Sequence, residues 1–364
     1  MAGLSCGIVG LPNVGKSTLF NALTANKAEA ANYPFCTIDP NVGVVAVDDA
    51  RLRTLSKISH SNKIIYATME FVDIAGLVAG ASKGEGLGNK FLTNIRETDA
   101  IVHVVRCFDS SDVIHVAGKV DPLEDIKIIE LELILADLQM VEGITDRMEK
   151  QLKSKKDLQE TYDILKLVAA HLNESLPVRT MKLTAEQWEL LAPYRFLTKK
   201  KVLYVANVSE EDLPAMDNRY VQQVREYAAA EGNSVIAICG KLEEEIAQLP
   251  PEERDEFLQA LGLQQTGLQR LIKASFDMLG LITFLTTGEI ETRAWTILAG
   301  SSAAESAGKI HSDIQKGFIR AEVITFDDMV AYGGRGAARE KGKMRFEGRD
   351  YTVADGDVIL FMHN

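Results

Sequence analysis

No stretch of the 364-residue chain approaches the ~18 uninterrupted apolar residues of a membrane span, so no transmembrane segment and no membrane partner are expected. The opening Met1-Ala2-Gly3-Leu4 lacks a basic region followed by an apolar one, and no secretory leader is expected. Cysteine is scarce: Cys6, Cys36, Cys107 and Cys239 are scattered and form no C-x-x-C pair. Three lie in apolar strand-like runs and read as buried free thiols, while Cys36 sits in a polar stretch, which fits a reducing, cytoplasmic setting. Net positive charge is missing as well. A formal balance of −12 argues against a general nucleic-acid coat, and DNA is not expected as a partner, but a local basic patch remains compatible with it. The length calls for two or three domains.

The most informative stretch is Gly10-Leu11-Pro12-Asn13-Val14-Gly15-Lys16-Ser17-Thr18. It follows the apolar run Leu4-Ser5-Cys6-Gly7-Ile8-Val9 and precedes the helix-friendly Leu19-Phe20-Asn21-Ala22-Leu23. This is G-x-x-x-x-G-K-S between a strand and a helix, the context a phosphate-binding loop requires. Glycines let backbone N–H groups curl around a phosphate chain, and the helix N-terminus adds partial positive charge. Asn13, Val14, Gly15, Lys16, Ser17 and Thr18 are therefore expected to bind a nucleoside triphosphate, with Lys16 on its terminal phosphates and Ser17 on Mg²⁺.

Further along, Tyr33-Pro34-Phe35-Cys36-Thr37 reads as a loop, and Thr37 is the candidate to offer its hydroxyl to Mg²⁺ and its N–H to the γ-phosphate. The strand ending in Asp73-Ile74-Ala75-Gly76 places Asp73 to hold the metal through a water and Gly76 to present its N–H to the γ-phosphate. The glutamine that often follows this glycine and orients the attacking water is absent; Leu77 cannot replace it. The glycine-rich stretch after it reads as a nucleotide-ordered lid. His115, beyond the next strand, is the nearest spare group able to orient water or stabilise charge, whereas His103 inside that strand reads as a satisfied core histidine.

Between 126 and 200 the apolar residues recur at three and four spacing with charges between, the pattern of a helical hairpin, partly coiled-coil-like. Lys150, Lys153, Lys155 and Lys156 form a basic tip that reads equally as a solvated helix end or an RNA contact. A strand then delivers Asn207-Val208-Ser209-Glu210 where guanine-specific switches carry N-K-x-D. Val208 replaces Lys and Glu210 replaces Asp, which removes the main reason to prefer guanine, and adenine is favoured. The following Cys239-Gly240-Lys241 is a loop able to close over the base with its backbone. From 281 onward short strands, glycine-containing turns and one helix indicate a small α+β domain. Its loop 335–349 carries six basic residues against Glu340 and Glu347, with Phe346 interleaved, a composition suited to an RNA backbone.

Taken together, these motifs resemble the YchF subfamily of the Obg-like P-loop proteins, the universal Obg-like ATPases, over nearly the whole chain. The resemblance also draws on His311-Ser312-Asp313, Lys316-Gly317-Phe318-Ile319-Arg320-Ala321-Glu322-Val323 and Asp355-Gly356-Asp357-Val358, which look like a TGS module, a ubiquitin-like β-grasp unit. It implies an α/β P-loop NTPase (G-domain) fold over 1–125 and 201–279, an inserted helical hairpin over 126–200 and a TGS domain over 280–364. It further implies ATP hydrolysis coupled to ribosome binding, through the TGS domain and helical arm, with Mg²⁺ at Ser17 and Thr37. Asn13 matches a position that helps coordinate K⁺ in potassium-stimulated relatives. The reading is a slow, partner-stimulated ATPase switch. Its rivals are a GTPase of the Obg class, disfavoured by Val208 and Glu210, and a non-hydrolysing scaffold whose nucleotide only orders its lid and RNA-facing modules.

Overall fold

The computed structural model describes residues 4–25, 41–74, 87–109, 119–152 and 156–364. A six-stranded sheet forms its first layer, in the order β2 (Val42–Val47), β4 (Ala67–Asp73), β1 (Ser5–Val9), β5 (Ala100–Arg106), β6 (Lys201–Asn207), β7 (Ser234–Ile238). All neighbours run parallel except β2, which is antiparallel to β4. The middle strands β1 and β5 are buried at every position, which is why their sequences are mostly apolar rather than alternating, with Ser5, His103 and Arg106 the buried polar exceptions. Register sets Ile8 beside both Asp73 and Val102, and Arg106 beside Asn207, so the carboxyl ends of β1, β4, β5 and β6 share one edge. Ligands bind at that edge of a doubly wound sheet.

Helix α1 (Lys16–Ala25) starts at that edge, whereas α2 (Ala50–Ser59) follows β2 at the opposite one, where Val47 pairs with Ala67. Helix α1 buries Leu19, Phe20, Ala22 and Leu23. Helix α2 is capped by Asp49, whose carboxylate accepts the Arg51 N–H, and buries Leu52 and Leu55. Helix α3 (Leu87–Glu97) leads into β5.

Helix α4 (Pro122–Leu152) starts four residues earlier than its apolar spacing predicts, because Pro122 fits a first helical turn and Glu124 and Asp125 favour its positive end. Its 31 residues span roughly 46 Å at 1.5 Å per residue. Ile126, Ile129, Leu133 and Ala136 pack into the core of the first sheet. Beyond them Ile134, Val141 and Met148 meet Ile164, Leu165, Val168 and Leu172 of α5 (Gln159–Asn173). One helix thus serves two cores, and the hairpin is rooted in the sheet domain. Buried Asp137 fastens the return: it accepts the Leu197 and Thr198 N–H groups at 3.0 and 2.8 Å and the Thr198 hydroxyl at 2.7 Å. Helix α6 (Ala185–Leu191) carries a capping box between Thr184 and Gln187. Among the described residues no helix is long and apolar enough to cross a membrane.

Helices α7 (Arg219–Ala230), α8 (Gly240–Gln248), α9 (Pro251–Ala260) and α10 (Gly267–Met278) complete this layer. A second six-stranded sheet follows, in the order β11 (Arg345–Glu347), β10 (Phe318–Ile324), β12 (Val358–His363), β8 (Leu281–Thr287), β9 (Thr292–Leu298), β3 (Ile64–Ile65). One face packs on α11 (Ala303–Ile310) through Phe284, Ile297, Ala303, Ala307 and Phe361. The region holds further short helices, α12 (Ser312–Lys316), α13 (Phe326–Ala331) and α14 (Arg335–Glu340), where one helix was expected. The stretch 335–349 is correspondingly not a loop. It is α14 followed by β11, elements too short to show periodicity in the sequence.

Candidate nucleotide site

The loop after β1 is held from both sides. A Cβ on Gly10 would lie 2.8 Å from the Val104 carbonyl and from Val14 Cγ2, so the loop can approach β5 only with glycine there. Gly15 has φ +93°, a conformation that favours glycine, and a Cβ there would lie 2.2 Å from Asn207 Nδ2. Lys16 opens α1, and its ammonium forms an ion pair with the Asp73 carboxylate at the end of β4. The Asp73 N–H is fixed to the Asn41 carbonyl at 2.8 Å, so both groups project from anchored backbone. Ser17 and Asn13 are exposed and Thr18 is half-buried; Asn13 adopts φ 64°. Lys16 and Asp73 therefore meet at one strand edge, with Ser17 next in sequence to Lys16.

Asn207 ends β6, at the same edge. Its side chain is buried, donating from Nδ2 to the Val14 carbonyl at 2.8 Å and accepting the Gly240 N–H at 3.0 Å. It braces the phosphate loop against the start of α8. Val208 is buried, and its N–H donates to the Ile238 carbonyl at 2.9 Å. Glu210 opens a short 3-10 turn, Glu210–Asp212, and accepts Lys241 Nζ at 2.7 Å on the surface. Cys239-Gly240-Lys241 is the entry into α8 rather than a loop over a base. Thr37, Gly76, Leu77 and His115 lie outside the described residues.

Burial pushes Cys6 and Cys107 up to about 12 and also raises Cys239. His103 departs from its reading as a satisfied core group: its Nε2 is buried with no hydrogen-bond partner. Burial, with repulsion from Arg179, lowers its pKa to about 3. No local pattern marks Arg179, which pairs with Glu130 of α4 and with Glu231 after α7 and so ties the arm to the sheet domain. Its partners lie 49 and 52 residues away, beyond any local pattern.

The expected basic surfaces are partly neutralised. Arg335 pairs with Glu322, Lys343 with Asp328, and Arg345 with Glu347 and Asp357. Arg339, Lys341 and Arg349 are exposed. On the open part of the second sheet Arg320 stacks over the exposed Phe346 ring at 4.7 Å, beside exposed Leu360 and Met362. At the arm tip Lys150 and Lys156 are exposed, and Lys153 and Lys155 lie outside the described residues.

Two family models match the chain. One described as a 50S ribosome-binding GTPase covers residues 5–145, and the YchF-GTPase C-terminal model, described as a protein of unknown function, covers 281–364. Proteins of Bacillus subtilis and Escherichia coli, each named ribosome-binding ATPase YchF, are both 53% identical over 363 residues, covering at least 99% of either chain. The solved Schizosaccharomyces pombe YchF GTPase superposes with a TM-score of 0.90 at 35% identity, covering 100% of this chain and 98% of its own. A Pyrococcus horikoshii GTP-binding protein shares the fold, with a TM-score of 0.63 at 22% identity, covering 99% of this chain and 100% of its own. With the phosphate loop, the sheet order and full-length identity in agreement, the chain belongs to the YchF family.

Proposed function

We propose that the chain is a slow, Mg²⁺-dependent hydrolase that prefers ATP to GTP and works as a nucleotide switch on ribosomes. The observation that carries the hydrolase reading is the Lys16–Asp73 pair at the strand edge, on a loop braced by Asn207. Lys16 is placed to exchange its carboxylate partner for the terminal phosphates of a bound nucleotide. The donor set would suit Mg²⁺, because the Ser17 hydroxyl follows the Lys16 whose ammonium pairs with the Asp73 carboxylate. Among the described residues no cluster of three His, Cys, Asp or Glu forms a cage that would hold a metal without phosphates. Ser17, Thr37 and, through water, Asp73 would hold the ion, which offsets phosphate charge when bound.

For the base, the supporting observation is the Glu210–Lys241 pair. A carboxylate engaged by an ammonium is a poor receptor for the N1–H and amine of guanine. The relatives' names divide here, ATPase for the bacterial proteins and GTPase for the yeast structure. Titration with labelled ATP and GTP decides the matter: tighter binding of GTP removes the ATP assignment. Slow turnover follows from Leu77, since water-orienting and partner groups are worth ~10³–10⁵ in rate. His115 is the spare group proposed to act in place of glutamine; unchanged hydrolysis by His115→Ala with and without ribosomes excludes it. A K⁺ role at Asn13 is tested by exchanging K⁺ for Na⁺ during hydrolysis.

The ribosome-facing surfaces proposed are the Arg320–Phe346 stack with its exposed arginines and the tip of the arm, where cationic and stacking groups suit unpaired RNA. Co-sedimentation with ribosomes in ADP and in a non-hydrolysable ATP analogue should differ. A single-turnover assay that releases no phosphate would convert the reading into that of a non-hydrolysing scaffold.

A further inference from the structure

The second sheet is not closed by residues 281–364 alone. Its edge strand β3 comes from residues 64 and 65, pairing Ile64 with Thr292 and Ile65 with Arg293. The junction continues outside the ladder, where the Asn62 N–H donates to the Glu289 carbonyl at 2.9 Å and the Thr292 N–H to the Lys63 carbonyl at 3.0 Å. Ser61 Oγ donates to the Gly288 carbonyl at 2.7 Å. One face of the sheet is likewise covered by α2: Leu52 and Leu55, fully buried, share a core with Leu285, Ala294, Ile324, Met329, Ala338 and Val358. Arg51 closes the seam, donating to Asp355 at 2.8 Å and to the Thr283 hydroxyl at 3.0 Å.

The same segment leads to the nucleotide site. After β3 only Tyr66 intervenes before β4, and β4 ends on Asp73 against Lys16. From Ile64 to Asp73 the chain is a nearly continuous extended rod, roughly 30 Å long at ~3.3 Å per residue. One end is an edge of the second sheet; the other carries the carboxylate on the phosphate loop.

We propose that residues 41–74 and 281–364 unfold and move as one cooperative body, so that nucleotide bound at Lys16 stabilises the second sheet. By reciprocity, a partner seated on that sheet changes nucleotide affinity by the same factor. The inference rests on nucleotide binding at the phosphate loop, and its test separates the two. Native-state hydrogen exchange is followed in the full chain, without nucleotide and with Mg²⁺ and a non-hydrolysable ATP analogue at a hundred times its Kd. If the body is cooperative, the slowest amides of β8, β9 and β12 exchange about a hundredfold more slowly with nucleotide, as do those of β1 and β4. Slowing confined to β1 and β4, with β8, β9 and β12 unchanged, overturns the inference while leaving nucleotide binding intact. Absence of slowing in β1 and β4 refutes the binding reading instead. Arg51→Ala should retain the slowing at β1 and reduce it at β9 and β12. Leu55→Ala, which opens the shared core, should do so more strongly. A hundredfold effect at β9 and β12 in both variants would show that the coupling does not pass through α2.

Discussion

Replacing Asn207 by alanine tests whether the side chain is a brace or a base contact. The amide satisfies two buried backbone groups at once, the Val14 carbonyl and the Gly240 N–H. Each such group left without a partner costs ~1–3 kcal/mol, so the upper limit for Asn207→Ala is ~6 kcal/mol. Water entering the space vacated by the amide recovers part of this, and ~2–4 kcal/mol is the expected loss. Equilibrium urea unfolding without nucleotide measures it directly. The freed loop must then be ordered by the ligand, and each ~1.4 kcal/mol of that cost weakens ATP binding tenfold. At least a tenfold rise in Kd is therefore expected. Asn207→Asp keeps the acceptor for Gly240 but sets a carboxylate against the Val14 carbonyl, and it should be no more stable than the alanine variant. If Asn207→Ala unfolds within ~0.5 kcal/mol of the parent yet loses ATP binding, the side chain acts on the nucleotide and the brace is wrong.

Three further outcomes follow from the same geometry. Ser17→Ala should weaken ATP binding at least tenfold in Mg²⁺ while leaving binding in EDTA unchanged; equal losses in both would place Ser17 outside the metal shell. His103 stays neutral when folded because its pKa falls to about 3, whereas the unfolded side chain protonates near 6.5. Between those values the unfolded state binds the extra proton, so stability present above pH 6.5 is lost as pH falls, by up to ~1.4 kcal/mol per unit. His103→Phe should flatten that acid slope relative to the parent in urea titrations at pH 4 to 7, and parallel slopes would contradict the assignment. Arg179→Met leaves Glu130 and Glu231 facing each other largely out of water and should destabilise by ~3–5 kcal/mol, with partial recovery on adding Glu130→Gln and Glu231→Gln. A urea midpoint unchanged by Arg179→Met would show that the carboxylates find water.

The parts of the molecule legible in the sequence are those whose signal is contiguous. Gly10, Gly15, Lys16 and Ser17 lie within eight residues of one another, and their spacing alone identifies a strand, a turn and a helix start. The central strands are equally plain, since burial on both faces leaves mostly apolar runs such as 100–105, broken only by His103. Asp73 and Asn207 share an edge because each ends a strand that lies parallel in the same sheet, β4 with an alternating pattern and β6 with a buried one. The direction of a side chain at a strand end is set by what lies across the gap. Asn207 turns to Val14 and Gly240, which are 193 and 33 residues distant, and no local pattern encodes that choice.

Helix α2 shows the limit most sharply. Leu52 and Leu55 mark an apolar face at helical spacing, and periodicity identifies such a face without naming what covers it. The natural partner in the sequence is the sheet that flanks it, β2 and β4. The core they enter takes Ala67 of β4 and an edge of Val47, but most of it is distant: Leu285, Ala294 and Val358 are more than 220 residues away. The same ambiguity hid β3, because two isoleucines cannot announce a strand whose only pairing is with another part of the chain. A sheet edge exposes unpaired N–H and C=O groups, and the segment that satisfies them can come from anywhere that topology permits. That the covering segment is the one leading into Asp73 is therefore information present only in the folded chain. It gives a residue pair as ordinary in sequence as Arg51 and Asp355 a place between the nucleotide edge and the second sheet.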